Sequence, residues 1–135
     1  MASAIYPKAK EQFLQGGIDM SSVNIKVTLH DLADYTYSAT HEFYNEVAAA
    51  REVAESPNLA SKTFVDGVFD AADFTFTAVT GDESEALIVR VDTGVDSTSR
   101  LIAFIDTFSS GMPVTPNGGN IDVTWDSGAN KIFAL

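Results

Sequence analysis

The sequence has 135 residues, from which we predict a single domain over residues 1–135 that buries roughly two-thirds of the surface of the unfolded chain. A hydrophobic content of 45% suits a globular fold and argues against disorder, and the lack of cysteine excludes disulfides, thiol catalysis and cysteine-ligated metals. The net charge of −11, from 8 basic and 19 acidic residues, argues against nucleic-acid binding because such a surface repels phosphate groups.

The N-terminal residues carry no charged-then-apolar signal pattern, and no apolar run approaches the length of a membrane-spanning helix. The acidic balance favours solubility and discourages non-specific association. We therefore expect a soluble protein that is made in the cytoplasm and has neither a nucleic-acid nor a membrane partner.

Residues 7–15 have the pattern of a short helix. Pro7 suits the first helical position, and the glycine pair at residues 16–17 ends the helix. The apolar residues that share one helical face, or lie beside it, are Tyr6, Ala9, Phe13 and Leu14. We expect this face to pack on a sheet rather than on a membrane or a partner helix.

Residues 23–30 alternate between apolar and polar side chains, which predicts a half-buried strand. The apolar side chains should face the core, and the polar ones, which end with His30, should face solvent. Residues 31–38 then continue into irregular structure.

Residues 40–55 have two interpretations. Thr40 is a good N-cap, so residues 40–47 predict the start of a helix, which residues 48–55 continue by propensity. In the competing interpretation the helix breaks and a strand begins at Arg51. Propensity alone is too weak a prior to choose between them.

Two apolar runs, residues 85–92 and 100–108, form the centre of the predicted fold. Each is short, rich in β-branched and aromatic residues, and bounded by turn formers, as strands are. We predict that they are the central antiparallel pair of a sheet. Their hydrophobicity is nearly continuous rather than alternating, so both faces of the pair should be covered.

The other strands are shorter and are predicted over residues 62–65, 74–79, 121–125 and 131–135. A turn at Asp66-Gly67 follows the first, and residues 113–119 form a loop because two prolines and two glycines exclude regular pairing. The last strand is predicted to form a hairpin with the strand before it. The predicted fold class is therefore mainly β: an antiparallel β-sandwich-like domain with a short N-terminal helix and, if residues 40–55 are helical, one further helix.

Catalytic and metal-binding patterns are missing from the sequence. No Gly-x-Ser-x-Gly motif accompanies His30 and His41, and their spacing fits no zinc site. A surface or turn role is expected for both histidines. We predict no enzyme activity, no cofactor and no metal.

Three carboxylates, on Asp66, Asp70 and Asp73, surround a predicted turn, and oxygen-rich turns are where calcium binds. The segment does not fit an EF-hand loop, because Gly67 comes too early and no glutamate occupies the closing position. Aspartates that form turns and tolerate unusual backbone angles explain the cluster better than a calcium site does.

Several stretches resemble a group of small structural proteins of tailed-bacteriophage virions. They are IYPKAKEQFL over residues 5–14, DYTYSATHEF over 34–43, DGVFDAADFTF over 66–76, TSRLIAFIDT over 98–107 and PVTPNGGNIDVTWDSGANKIF over 113–133. The likeness covers most of the chain, and the last stretch is its most specific part.

The resemblance implies a head decoration, or cement, protein on the outer capsid surface of the virion. Its implied partners are a major capsid protein and copies of itself, as a homotrimer. The family carries no catalytic motif, so no active site transfers. An acidic, cysteine-free β domain suits an outer scaffold that must not bind the packaged genome.

Partner contacts are expected in two exposed segments at the ends of core elements, around the helix at Pro7 and in the loop from Met112 to Gly119. The residues expected to make them are Tyr6, Pro7, Lys8, Lys10, Met112, Pro113, Pro116, Asn117 and Gly118.

Two other functions stay open. One is a tail or baseplate subunit of the phage. The other is a virion carbohydrate-binding module, which needs an exposed aromatic platform around Trp125 or around Tyr35 and Tyr37. Trp125 alternates with apolar residues of a predicted strand, so we expect it to lie in the core.

Overall fold

A computed structural model describes residues 3–47 and 52–135 of the chain. Strand makes up 32% of the structure and helix 14%, so the predicted mainly β, sandwich-like fold class is confirmed. In the described ranges the strands are β1 (Ala4–Ile5), β2 (Asn24–His30), β3 (Glu52–Glu55), β4 (Val68–Phe69), β5 (Phe74–Phe76), β6 (Ala86–Asp92), β7 (Leu101–Ile105), β8 (Ile121–Val123) and β9 (Phe133–Ala134). The helical segments there are α1 (Pro7–Gln15) and single 3-10 turns over Tyr44–Glu46, Val65–Gly67 and Asp96–Thr98.

The main sheet is antiparallel, with five strands in the order β1-β7-β6-β2-β3. The two apolar runs form its centre as predicted, because β6 pairs with β7 on one side and with β2 on the other. The residues of β6 are buried except for Asp92, which confirms that both faces of this strand are covered.

Helix α1 has the predicted bounds. It begins at Pro7 and ends at Gly16, whose φ of 76° is left-handed and whose backbone N–H bonds back into the last turn. Tyr6 and Ala9 of the predicted apolar face are buried, but Leu14 is 90% exposed, because it lies a step of about 100° around the helix from Phe13. Within the described residues, no helix is both long and apolar enough to cross a membrane.

One face of β2 differs from the prediction. Thr28 and His30 belong to the polar side of the alternation, yet both are fully buried, so β2 is not half-buried. The reason is non-local: Tyr35 and Tyr44, from the segment that follows β2, pack their rings against His30 and cover this face.

The β5/β8 ribbon lies over the opposite face of the sheet, next to Leu29 and Leu87, and a second small ribbon is formed elsewhere by β4 and β9. Strand β5 pairs with β8, and β4 pairs with β9. The predicted hairpin between the last two strands is therefore wrong, because β9 pairs instead with a strand from the middle of the chain. Residues 62–65 are also not a strand: Thr63 makes a single bridge to Asp70, and the 3-10 turn begins at Val65.

The alternative at residues 40–55 is decided in part. Residues 52–55 form strand β3, while residues 48–51 of that prediction lie outside the described residues. The helix predicted to begin at Thr40 is wrong. Phe43 instead bridges to Arg100 beside β7, and one 3-10 turn follows at Tyr44–Glu46.

Candidate functional site

The most concentrated polar chemistry in the described chain lies on the buried face of the sheet that carries His30. We call this set the polar layer; its members are Thr28, His30, Tyr44, Glu52 and Arg90. The Tyr44 hydroxyl donates a hydrogen bond to Glu52 Oε2 at 2.7 Å and lies 3.3 Å from His30 Nε2. His30 Nε2 is also 2.7 Å from Thr28 Oγ1. The Arg90 guanidinium stacks 4.2 Å above the Tyr44 ring, so a cation, a phenol and a carboxylate are held together.

Three further charged groups, on Lys26, Glu55 and Asp92, continue the layer at its outer edge, where the register places Lys26 opposite Arg90. Arg90 is only 3% exposed and pairs with Glu55 and, at 3.3 Å, with Asp92. Lys26 pairs with the same two carboxylates, at 3.0 and 3.3 Å. The alternation of two cations and two anions compensates the cost of burying Arg90.

The ion pairs of Lys26 help to raise its own pKa and to lower that of Asp92. The hydrogen bond to Glu55 raises the pKa of Lys26, although burial opposes this. Burial would raise the pKa of Asp92, but the Gly94 N–H and the Lys26 ammonium outweigh it and lower that pKa. Both groups therefore keep their charges across the neutral pH range.

A second hydrogen-bonded chain joins helix α1 to the covering segment. The hydroxyls of Tyr6 and Tyr35 lie 2.8 Å apart, and the Tyr35 hydroxyl lies 2.9 Å from His41 Nδ1. Burial raises the pKa of Tyr6, of Tyr35 and of Tyr44. Such phenols stay protonated and act as hydrogen-bond donors, so they are not poised as nucleophiles or bases.

The histidines occupy different environments. The expected surface or turn role is wrong for His30, which is fully buried under Tyr35 and Tyr44. His41 is partly exposed, and its backbone N–H donates to the Ser38 carbonyl. The His30 imidazole therefore packs within the polar layer, whereas the His41 imidazole belongs to the hydrogen-bonded chain through Tyr35.

A cavity of about 100 Å³ lies between the sheet and the β5/β8 ribbon. Its walls include Leu29, Leu87, Phe76 and Met112. This volume is well below the roughly 300 Å³ at which pockets for drug-sized molecules begin. The cavity lies on the opposite face of the sheet from the polar layer, so it gives no access to those groups.

The aspartates near the first ribbon serve separate structural roles. Asp66 adopts a left-handed φ of 55° in the 3-10 turn, Asp70 exchanges backbone hydrogen bonds with Thr63, and Asp73 Oδ1 accepts the Trp125 backbone N–H at 2.9 Å. These roles fit the turn interpretation better than the calcium interpretation.

A different trio of carboxylates does converge. Oxygen atoms of Asp31, Asp34 and Asp82 lie within 4.8 Å of one another. Asp31 already accepts the Ala33 backbone N–H at 2.8 Å, as turn aspartates commonly do. Exposed acidic groups commonly converge without a cation, so we assign no metal to this trio.

The predicted contacts around the helix are only partly accessible. Tyr6 is 0% exposed, so its side chain cannot touch a partner; it faces the core because it shares a side of the helix with buried Ala9. Pro7 and Lys10 are exposed, and Lys8 is partly exposed and pairs with Glu11 at 3.5 Å.

The predicted contact loop is anchored at both ends. Val114 exchanges two backbone hydrogen bonds with Ser84, and the Gly118 N–H donates to the Val79 carbonyl at 2.7 Å. The residues predicted as contacts that are exposed there are Pro113, Asn117 and Gly118, and those that are partly buried are Met112 and Pro116. The backbone N–H of Tyr6, by contrast, donates to the Ile102 carbonyl of β7, so the helix is held by the sheet, whereas the loop is held by the connection between β5 and β6.

The aromatic residues that a carbohydrate platform would need are packed inward. Tyr35 is buried, and the Tyr37 ring lies between Tyr6 and Phe104, with centroid distances of 5.1 and 5.2 Å. Trp125 is partly buried against the core and packs on Phe74, in agreement with the predicted core position.

The sequence interpretation missed an exposed apolar feature, which we call the apolar turn and define as Phe64, Val65 and Leu135. Their exposed fractions are 38%, 71% and 66%. The Phe64 ring stacks on buried Phe69 at 5.7 Å, and the Leu135 N–H donates to the Gly67 carbonyl at 2.9 Å. The sequence held no clear signal for it, because the apolar pair before Asp66-Gly67 also fits the end of the strand predicted over residues 62–65.

No family model matches the chain, and no curated protein matches it. Function is therefore inferred from the residues themselves and from the resemblance of the stretches quoted above.

Proposed function

We propose that this chain is a non-enzymatic structural protein of a tailed-phage virion that binds the outer capsid surface and stabilises the shell. The observation that carries the proposal is the separation of its chemistry. Three of the four tyrosines, together with His30 and Arg90, are buried and hold the fold together, while carboxylates and the apolar turn lie on the accessible surface. A protein built in this way suits binding to another surface rather than turnover of a substrate.

The distribution of cations adds to this argument. Three cations already form ion pairs with carboxylates: Lys26, Arg90 and Arg100. A fourth, Lys62, donates through Nζ to the carbonyl oxygens of Met20 and Val23 at 2.8 and 2.6 Å. These four cations are therefore unavailable to a phosphate backbone. An acidic exterior favours a position outside the shell, away from the packaged genome.

Shell stabilisation would follow from mass action, because a ligand that binds only the assembled lattice favours that lattice over dissociated subunits. Many symmetric copies make weak individual contacts effective through avidity. The partners proposed are the major capsid protein and, in a homotrimer, two further copies of this chain. Synthesis would take place in the host cytoplasm before the chain joins the virion.

Cryo-electron microscopy of the parent virion tests the proposal. We expect density for the five-stranded sheet and helix α1 on the outer capsid surface, at the three-fold or quasi-three-fold positions that a trimer would occupy. Absence of the chain from the capsid surface would overturn the proposal. Density in a ring on the tail axis, with six-fold or three-fold symmetry, would instead support a tail or baseplate subunit.

A further inference from the structure

We propose that the apolar turn is the anchor by which this chain docks on the shell, and that the receiving surface is an apolar depression with a rim of lysine and arginine side chains. This inference rests on the proposed function and deepens it, since it names the contact surface and the chemistry of the partner. The residues expected from the sequence to make contact lie elsewhere, around the helix and in the loop at residues 112–118.

The cluster is unusual for the described surface. The large hydrophobic side chains exposed there are Leu14, Phe64, Val65, Val95 and Leu135. Leu14 lies on helix α1 and Val95 on the connection from β6 to β7, so each stands alone. The other three lie on the two segments that the hydrogen bond from the Leu135 N–H to the Gly67 carbonyl joins. Singly scattered apolar residues are normal on a protein surface, whereas a cluster marks an interaction site.

The base of the apolar turn and its Phe64 ring are fixed by contacts within the domain. Thr63 and Asp70 exchange two backbone hydrogen bonds at 2.9 and 3.1 Å, which close the base of the turn. The Phe64 ring is stacked on Phe69, which packs in turn on Phe133 at 5.3 Å. Side chains that are ordered before binding lose little conformational entropy on docking, so their buried area converts efficiently into affinity.

Charge selects the partner. Asp66 lies within the turn, and Asp70 lies beside its base. The cation nearest along the chain, Lys62, points away to the carbonyl oxygens of Met20 and Val23. Two aspartates beside apolar side chains are complementary to lysine and arginine side chains of a partner, and they disfavour self-association through a second copy of the same turn.

Three exposed side chains are too few for a complete interface, because specific interfaces bury roughly 800 Å² on each partner. We assign them the role of a hot spot, in which a few central apolar residues carry most of the affinity and the surrounding contacts exclude water. The flanking acidic residues then set the orientation and the association rate.

The test uses binding of the full chain to shells of the parent virion prepared without it, measured by co-sedimentation. The double variant Val65→Ser/Leu135→Ser removes apolar surface from the turn, and Leu14→Ser/Val95→Ser is the matched control with equally exposed residues elsewhere. We expect the first to weaken binding by about tenfold or more, as hot-spot residues do, and the control to change it by less than about twofold. Thermal unfolding of each variant verifies that the exposed substitutions leave the fold intact.

A third variant, Asp66→Asn, removes charge while keeping a residue that tolerates the left-handed backbone at this position. We expect weaker binding at low salt and a smaller loss of binding when salt is added. Unchanged salt dependence would contradict the basic rim.

The outcomes separate the two proposals. If the wild-type chain binds shells and the Val65→Ser/Leu135→Ser variant binds equally well, the docking inference is wrong and the proposed function stands. If the wild-type chain fails to bind shells, both are wrong. If sedimentation velocity shows that the turn variant loses a wild-type oligomer while monomers still bind shells normally, the occupant is a second copy and the inference is overturned.

Discussion

The Tyr44 hydroxyl donates a hydrogen bond to Glu52 Oε2 across 2.7 Å, and this contact ties the segment that covers the sheet to its edge strand β3. Tyr44 is fully buried, and Glu52 is partly buried. The bond therefore closes the outer end of the polar layer, and its loss would open the layer to water.

Removing that hydroxyl should be costly. We expect Tyr44→Phe to lower the free energy of unfolding by about 1–2 kcal/mol, because it leaves the Glu52 carboxylate without its phenol donor in a partly desolvated position. Tyr37→Phe is the control, since that ring is only partly buried, and we expect a change below about 0.5 kcal/mol. Equilibrium unfolding in urea measures both free energies of unfolding. Equal stabilities for Tyr44→Phe and wild type would show that the hydrogen bond between Tyr44 and Glu52 does not stabilise the fold.

Glu52 should make stability depend on pH. Burial raises its pKa, although the Tyr44 hydrogen bond favours the ionised form. A raised pKa means that the folded state binds the proton more tightly than the unfolded state does. The stabilisation is therefore complete below the unfolded pKa and is lost as pH rises through the folded pKa.

The variant Glu52→Gln keeps an acceptor for Tyr44 and removes the ionisation. We expect its free energy of unfolding relative to wild type to increase as pH rises from about 4 to 7. Denaturant unfolding at several pH values measures this difference, with the exposed Glu11→Gln as the control. A difference that stays constant with pH would show that Glu52 is not the responsible group.

Arg90 and Arg100 form a matched pair for testing the buried charges. We expect Arg90→Met to destabilise the protein by about 3 kcal/mol, because it leaves Glu55 and Asp92 with only Lys26 as a cation. Arg100→Met should cost about 1 kcal/mol or less, since its pair with Glu42 is more exposed. Guanidinium unfolding compares the two, and similar losses would contradict the role assigned to burial.

The end of helix α1 offers a test of backbone conformation alone. Gly16 has a left-handed φ of 76°, and an added Cβ would meet nothing within 4 Å. We therefore expect Gly16→Ala to cost about 1 kcal/mol through backbone strain, and Gly16→Asn to cost less. Gly17→Ala is the control: its Cβ would meet only the flexible end of Gln12, which can move aside. We expect the thermal unfolding midpoint to be lowest for Gly16→Ala, higher for Gly16→Asn and highest for the control Gly17→Ala. A Gly16→Ala variant with the wild-type midpoint would contradict the prediction.

The parts of the fold that could be predicted depend on local signals. The bounds of α1 follow from a proline at its start and two consecutive glycines after its end. Strands β6 and β7 follow from continuous apolar runs. Both signals are confined to the element itself, so no knowledge of the rest of the chain was needed.

The parts that could not be predicted depend on distant residues. Alternation indicated that His30 faces water, but tyrosines that follow β2 cover it. The pairing of β9 with β4 was missed because a hairpin with β8 satisfies the same local pattern. The exposure of Val65 could not be predicted either, since an apolar pair before a turn reads equally well as the end of a strand.

The ribbon of β4 and β9 has a consequence for the order of biosynthesis. The Gly67 carbonyl can accept the hydrogen bond from the Leu135 N–H only after residues 133–135 have been synthesised. Strand β4 therefore stays unpaired until this distant segment is available. Such long-range closure is slow compared with local folding. A chain cut short before Phe133 would lack both the ribbon and Leu135, and with them the anchor proposed for docking.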